Sequence, residues 1–393
     1  MGELPRILIV DDEPLNIDYL EQELEDLGYE TLSARNGHEA LECVESQLPD
    51  MILLDIMMPI MDGFEVLRRL KAEEHWRDIP VVVISALSDI DNVAKGIELG
   101  AEDYLPKPFN PILLKARIKS GLEKKRFRDL ERLYLKALER ELEIGREIQA
   151  DFLPDEILQP EGWRIAAYFQ AAREVAGDFY DVFYLSEGRL ALVVGDVCDK
   201  GVGSALYMAL FRSLLRATSD ITRFSSGLER QDAELDSASA LKNSIEFVNQ
   251  YICRVHKSAM FASLFFGLLD PESGSLSYIN AGLEPPLVLR QGKVLAELMP
   301  TGPIVGGIED IHFDVGETHL DHDDVLLLYT DGITDACNAD GEEYGRESVL
   351  SIAEKHSASV DMLIENIVLD VQTFIDETAQ FDDITLMAIQ RIS

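Results

Sequence analysis

Two sets of residues stand where short apolar runs end, and both are rich in oxygen donors. In the first, Asp11 and Asp12 follow the run Ile7–Val10 and Asp55 ends Met51–Leu54. Ser85 follows Val81–Ile84, and Lys107 follows the short run at Tyr104–Leu105. If those runs are strands of one parallel sheet, their carboxyl ends converge. The pocket then holds three carboxylates, a hydroxyl and an ammonium. Carboxylates this close repel one another unless a cation shares them, and Mg²⁺ is the natural one. Beside such a cation Asp55 can attack a phosphoryl group as a carboxylate nucleophile. Ser85 and Lys107 can hold the phosphate oxygens, one through its hydroxyl and the other as a point charge. Any one acid at a strand end is more often a cap or a surface charge, so the signal is the ordered set.

The second set lies in Gly177-Asp178-Phe179, Gly195-Asp196-Val197, Thr330-Asp331-Gly332 and Asp382-Asp383-Ile384-Thr385. Asp196 and Asp331 each follow an apolar run, and Asp382 precedes one. The neighbouring glycines let the backbone approach a ligand closely. Several carboxylates without a basic partner describe a metal centre, and oxygen ligation selects Mg²⁺ or Mn²⁺ over Zn²⁺. Two such ions can polarise a phosphate and activate a bridging water. Asp-Gly and Asp-Asp also mark ordinary turns, so the joint order of the motifs carries the argument. A Ser-His-Asp mechanism has no support, because no G-x-S-x-G elbow occurs.

The elements that must position these groups fall into three segments. Residues 1–121 alternate uniformly apolar runs with amphipathic stretches such as Leu15–Leu27, closed by Gly28. That pattern predicts an α/β doubly wound parallel sheet. Residues 122–155 carry apolar residues at Leu130, Tyr134, Leu138, Leu142, Ile148 and Phe152, steps of three or four that predict a long helix with a narrow stripe. Such a stripe needs a partner, and a coiled coil with a second copy is the expected one. The basic cluster Lys124–Arg128 is expected to pair with carboxylates on a facing element. Residues 156–393 mix period-two strands with helices near Ser204–Thr218 and Leu241–Lys257, which predicts an α+β domain with antiparallel sheets. The polar stretch Ser219–Ser239 reads as a loop.

Composition narrows the field. Of 393 residues, 35 are Lys or Arg and 73 are Asp or Glu, giving a net charge of −38 that repels nucleic-acid backbones and anionic lipid. The four cysteines stand far apart without C-x-x-C spacing, arguing against zinc or a disulfide framework. No signal peptide and no apolar run of spanning length is visible, so a soluble cytoplasmic protein is expected.

The motifs also carry two resemblances. Val10-Asp11-Asp12-Glu13-Pro14, Leu54-Asp55-Ile56-Met57-Met58-Pro59, Ile84-Ser85-Ala86 and Pro106-Lys107-Pro108-Phe109 resemble a response-regulator receiver domain. That resemblance implies that Asp55 accepts a phosphoryl group from a histidine kinase. It implies Mg²⁺ held by Asp12, Asp55 and the Met57 carbonyl, with Asp11 acting partly through water. Ser85 and Tyr104 take the switch positions, and Lys107–Pro108 is expected to be cis. From about residue 145 onward, Glu143–Gln149, Ala172–Asp181, Gly195-Asp196-Val197, Lys200–Leu206, Leu328–Thr334 and Asp382–Thr385 resemble the bacterial PPM-type phosphatases. The nearer likeness is to sporulation stage II protein E and the sigma-factor regulatory phosphatases. This implies an αββα sandwich and two Mg²⁺ or Mn²⁺ held by Asp178, Asp196, Asp331, Asp382 and the Val197 carbonyl. Asp196 would bridge the ions, and Asp382 is preferred over Asp383. The helix beginning near Gly203 would be a regulatory switch element. Two departures stand out: Leu283-Glu284 where the family commonly has His-Asn, and Asp199 where it often has glycine.

Together these readings describe a response regulator whose phosphorylation at Asp55 controls a metal-dependent serine/threonine phosphatase. The expected substrate is a phosphorylated anti-sigma-factor antagonist, and the expected assembly is a homodimer through the connector helix. The alternative is a phosphorylation-gated adaptor that binds a sigma factor or its antagonist without hydrolysis.

Overall fold

A computed structural model describes residues 4–86, 90–185, 188–226, 237–255 and 260–392. The chain divides into two compact units, Met1–Leu138 and Glu139–Ser393. In the first, strands β1 (Arg6–Val10), β2 (Glu30–Ala34), β3 (Met51–Asp55), β4 (Val81–Ala86) and β5 (Asp103–Lys107) form a parallel sheet in the order β2-β1-β3-β4-β5. Helices α1 (Pro14–Asp26), α2 (Gly37–Gln47), α3 (Gly63–Ala72) and α4 (Ile90–Glu98) alternate with the strands, and α5 (Pro111–Ala150) follows them. Side chains alternate across a strand, so a run apolar at every position must be covered on both faces. Ile7, Ile9 and Leu53 accordingly pack with Leu20 and Leu24 of α1 and Leu114 and Ile118 of α5. Leu8, Val10 and Leu54 pack with Val44 of α2 and Leu67 and Leu70 of α3. Side-chain caps start two of the helices. Asn36 accepts from the His38 and Glu39 N–H groups at α2, and Asp62 accepts from Glu65 N–H at α3.

The expected connector is the continuation of the helix that begins at Pro111, so α5 runs 40 residues without a break. Its first turns bury Leu114, Ile118 and Leu122. The basic cluster then pairs as its sequence suggests, with Lys125 Nζ 2.6 Å from Asp50 and Arg128 Nη2 2.9 Å from Glu102. Beyond these pairs Leu130, Tyr134, Leu138 and Ile148 are exposed.

The second unit is an αββα sandwich. Its strands are β6 (Trp163–Gln170), β7 (Phe179–Tyr184), β8 (Leu190–Val197), β9 (Ala262–Leu269), β10 (Ser275–Ala281), β11 (Leu287–Arg290), β12 (Lys293–Glu297), β13 (Gly316–His319), β14 (Val325–Tyr329) and β15 (Ile384–Arg391). They form two five-stranded antiparallel sheets, ordered β13-β10-β9-β8-β7 and β12-β11-β14-β15-β6. Val194, Phe265, Leu328 and Met387 belong to the core that the two sheets share. Helices α6 (Val202–Ser226) and α7 (Ser237–Val255) cover the first sheet through Phe211, Leu215, Ile245 and Val248. The short α8 (Asp331–Thr334) follows β14, and α9 (Gly345–His356) and α10 (Val360–Ile375) cover the second sheet through Val349, Leu363 and Ile367.

The loop expected at Ser219–Ser239 is in part helix. Helix α6 continues to Ser226 and α7 already begins at Ser237, while residues 227–236 lie outside the described residues. Polarity alone does not end a helix, and no glycine or proline interrupts the chain from Ala205 to Ser226. Among the described residues, no helix is long and apolar enough to cross a membrane.

Candidate functional sites

Strand ends β1, β3, β4 and β5 gather the first site. Lys107 Nζ lies 2.7 Å from Asp55 Oδ2 and 2.9 Å from Asp11 Oδ2. Asp11 is fully buried and is further held by Glu13 N–H at 2.9 Å and by the Asn16 amide at 3.0 Å. The carboxylate oxygens of Asp11, Asp12 and Asp55 all lie within 4.8 Å of one another. Asp12 is exposed, and Met57 N–H donates to Asp55 Oδ1 at 3.3 Å. Burial raises the Asp55 pKa against the opposing hydrogen bond from Lys107. Burial disfavours the Lys107 charge, but hydrogen bonds to Asp55 and Asp11 outweigh it and raise its pKa. One ammonium faces three carboxylates here, an excess of hard oxygen donors that fits Mg²⁺. Ser85 is buried next along β4, and Lys107–Pro108 is cis. Tyr104 is partly exposed, its ring 5.9 Å from the Arg117 guanidinium.

The second site sits where the two sheets of the sandwich end. Asp196, Val197, Asp331 and Asp382 line a cavity of about 320 Å³ together with Cys198, Asp199, Lys200 and Glu284. Asp178 lies behind this wall and is fully buried, in hydrogen-bond contact with Asp196. Its Oδ2 accepts from Thr330 Oγ1 at 2.7 Å and from Thr385 Oγ1 at 2.6 Å. Asp383 turns away from the cavity. Its carboxylate accepts from the N–H groups of Ala172 at 2.8 Å, Gly177 at 2.7 Å and Asp178 at 3.4 Å. Two glycines make this closeness possible. A Cβ on Gly332 would lie 1.9 Å from the Asp383 carbonyl oxygen, and one on Gly177 would lie 2.6 Å from the Val197 carbonyl oxygen.

Burial and crowding raise the pKa of Asp178, Asp196 and Asp331. Burial, with the charge of Asp331 next, pushes Asp196 up to about 7. Desolvation, with Asp335 and Asp382 next, pushes Asp331 up to about 6. Burial and then Asp196 raise the pKa of Asp178. Among the described residues lining the cavity Lys200 is the one cation, 2.9 Å from Asp382 Oδ2 and 3.8 Å from the centre of the Phe381 ring. Hard oxygen donors and their mutual repulsion fit divalent Mg²⁺ or Mn²⁺.

The structure thus brings Asp196, Val197, Asp331 and Asp382 to one cavity, with Asp178 directly behind it. Thr330, Thr385 and Lys200 stand inside the sequence motifs, and the part each plays follows from these contacts rather than from its residue type. At the departures, Leu283 belongs to the core between the sheets and, with Glu284, also lines the cavity. Asp199 adopts φ 71°, the left-handed conformation that glycine takes without strain.

The fold and these two sites define a receiver followed by a phosphatase-type sandwich. Residues 7–119 match the response regulator receiver domain, and residues 186–392 match stage II sporulation protein E. The chain belongs to the stage II sporulation protein E family, with a receiver domain at its N-terminal side. Protein IcfG of Synechocystis sp. is 40% identical over 262 residues, which cover 64% of this chain and 41% of that protein. Response regulator PleD of Caulobacter vibrioides is 47% identical over 115 residues, covering 29% of this chain and 25% of that protein. The chain therefore spans less than half the length of either relative. The SiaA-PP2C domain of Pseudomonas aeruginosa shares the fold of the sandwich, with a TM-score of 0.53 and 21% identity over 65% of this chain and 98% of that domain.

Proposed function

We propose that the chain is a two-component response regulator whose phosphorylation at Asp55 controls a metal-dependent protein serine/threonine phosphatase. Residues 1–121 act as the receiver, 122–155 as the helical connector and 156–393 as the phosphatase. A cognate histidine kinase supplies the phosphoryl group. The proposed substrate, resting on the family resemblance, is a phosphoserine or phosphothreonine of an anti-sigma-factor antagonist in a partner-switching pathway. The exposed apolar stripe of α5 supports a homodimer.

The observation that carries this reading is the acidic cavity at the sheet ends, with Asp196, Asp331 and Asp382 in its wall and Asp178 behind. Asp178, Asp196, Asp331, Asp382 and the Val197 carbonyl would hold two Mg²⁺ or Mn²⁺ ions. When bound, such ions neutralise phosphoryl charge and lower the pKa of a coordinated water. The chain's own groups do the rest. Thr330 and Thr385 fix the orientation of Asp178, and Asp383 anchors the loop from Ala172 to Asp178. Lys200, pinned against Phe381 at the cavity wall, offers an ammonium to a phosphoryl oxygen. In the receiver, Asp55 attacks phosphorus, and Lys107 and Ser85 steady the oxygens.

The test is the initial rate of aryl-phosphate hydrolysis in Mn²⁺, with and without beryllofluoride as a mimic of phospho-Asp55. Asp331→Asn serves as the blank, and sedimentation follows the oligomeric state. The expected outcome is a Mn²⁺-dependent rate that Asp331→Asn abolishes and beryllofluoride changes. A rate and an oligomeric state indifferent to beryllofluoride would sink the coupling. No hydrolysis of either the aryl phosphate or a phosphorylated antagonist would transfer the case to the adaptor.

A further inference from the structure

Past Leu122, every side chain of α5 is exposed or partly so except one. Gln149, in the last turn, is buried. A primary amide carries two donors and an acceptor, and taking it out of water is costly unless these are used. Both ends of this one are used on a single residue. Gln149 Nε2 donates to the Ala176 carbonyl at 2.7 Å, and Ala176 N–H donates to Gln149 Oε1 at 2.9 Å. The side chain thus grips the backbone of Ala176 as a neighbouring strand would. Phe152 and Leu153, just past the helix end, pack against the core that contains Phe179.

Only Gly177 separates Ala176 from Asp178, and Gly177 is itself tethered. Its N–H is held by Asp383, and its Cα faces the Val197 carbonyl with no room for a Cβ. Any displacement of Ala176 must therefore reach Asp178, whose carboxylate is in hydrogen-bond contact with Asp196 at the back of the cavity. The segment from Ala172 to Asp178 is clamped from two directions: Asp383 holds Ala172, Gly177 and Asp178 from the β15 side, and α5 holds Ala176.

We infer that Gln149 is a positioning residue: its amide clamp on Ala176 places the Asp178 carboxylate, so the last turn of α5 sets the affinity of the acidic cavity for a divalent cation. The inference rests on the proposed metal-dependent reading of that cavity. It names a point of entry for control that differs from the α6 helix, since α5 is the element whose first turns belong to the receiver.

The experiment uses the full chain and MnCl₂ as the probe, with binding read by calorimetry and turnover read separately on an aryl phosphate. Gln149→Leu removes both hydrogen bonds at similar volume. Gln149→Glu keeps an acceptor for Ala176 N–H but sets an oxygen against the Ala176 carbonyl. Both variants should weaken Mn²⁺ binding on the order of tenfold, the scale of losing an outer partner of a metal ligand. The maximal rate at saturating Mn²⁺ should stay near the native value. Beryllofluoride should shift Mn²⁺ affinity in the native chain and lose that effect in the variants. A merely structural role would lower the melting temperature and leave Mn²⁺ affinity untouched. If Gln149→Leu does not fold by near-ultraviolet circular dichroism, Gln149→Glu decides. Native Mn²⁺ affinity in a folded variant overturns the inference. A native chain that binds Mn²⁺ without hydrolysing the ester overturns the enzyme reading instead, and the affinity comparison still decides the clamp.

Discussion

Burial beside other carboxylates raises the pKa of an acid and makes the proton a competitor for any cation it would ligate. Asp196, held near 7, and Asp331, near 6, must both lose protons before they can ligate a cation. Mn²⁺ affinity should therefore rise as pH increases from about 5 to 8, with proton uptake by the buffer visible as a buffer-dependent binding enthalpy. An affinity flat across that window would contradict the assignment of these groups. The same shifts act on folding with the opposite sign. A carboxyl raised above its unfolded value leaves the native state holding more protons than the unfolded chain, so this site lowers the stability of the metal-free protein as pH rises from about 4 to 7. Saturating Mn²⁺ should cancel that loss in melts at pH 8. Around Asp178 the decisive atoms are hydroxyls. Thr385→Val keeps the shape but removes a donor to a buried carboxylate, and about 1–3 kcal/mol of stability should go with it. Thr373→Val on α10 deletes a hydroxyl that only bonds back to the Leu369 carbonyl and should be near neutral in urea titrations.

Elements are joined here by buried ionic contacts as well as by apolar packing. Asp181 on β7 is fully buried and receives Arg216 Nη2 at 2.7 Å, with Arg212 Nε 3.0 Å from its other oxygen. This pins α6 to the strand that begins beside Asp178. Asp181→Ala would leave two guanidinium groups without their counter-charge. Arg216 is partly exposed, so the cost should sit near the low end of such losses, about 3 kcal/mol. Urea unfolding that shows no change would mean the pairs are neutral to folding. How far such elements can be read in advance depends on their surroundings. Strands β1, β3 and β4 are covered on both faces and so appear as unbroken apolar runs. Strands β2, β12 and β13 lie at sheet edges, where Glu30-Thr31-Leu32-Ser33-Ala34 or Gly316-Glu317-Thr318-His319 carry little pattern. The acids of both sites stand out in the sequence because each lies at or within two residues of a strand end. Gln149, Thr330 and Thr385 do not, because their meaning lies in partners 27, 152 and 207 residues away in the chain.

At the scale of the whole molecule one element belongs to both compact units. Helix α5 begins in the first and ends in the second. An unbroken α-helix has 3.6 residues per turn, so each inserted residue turns everything after it by about 100° while lengthening it by only about 1.5 Å. Insertions between Leu138 and Ile144 should then affect the beryllofluoride response according to their number rather than their bulk. One or two extra residues should silence it, and seven should restore most of it, since two turns bring the helix face nearly back. A response that declines steadily with insertion length would mean that distance is what matters. If seven residues restore the response, the message carried along α5 is an angle, and a frame-preserving insertion or deletion in the helix is a change of bearing. Lineages that lengthen or shorten this helix should do so in steps of seven.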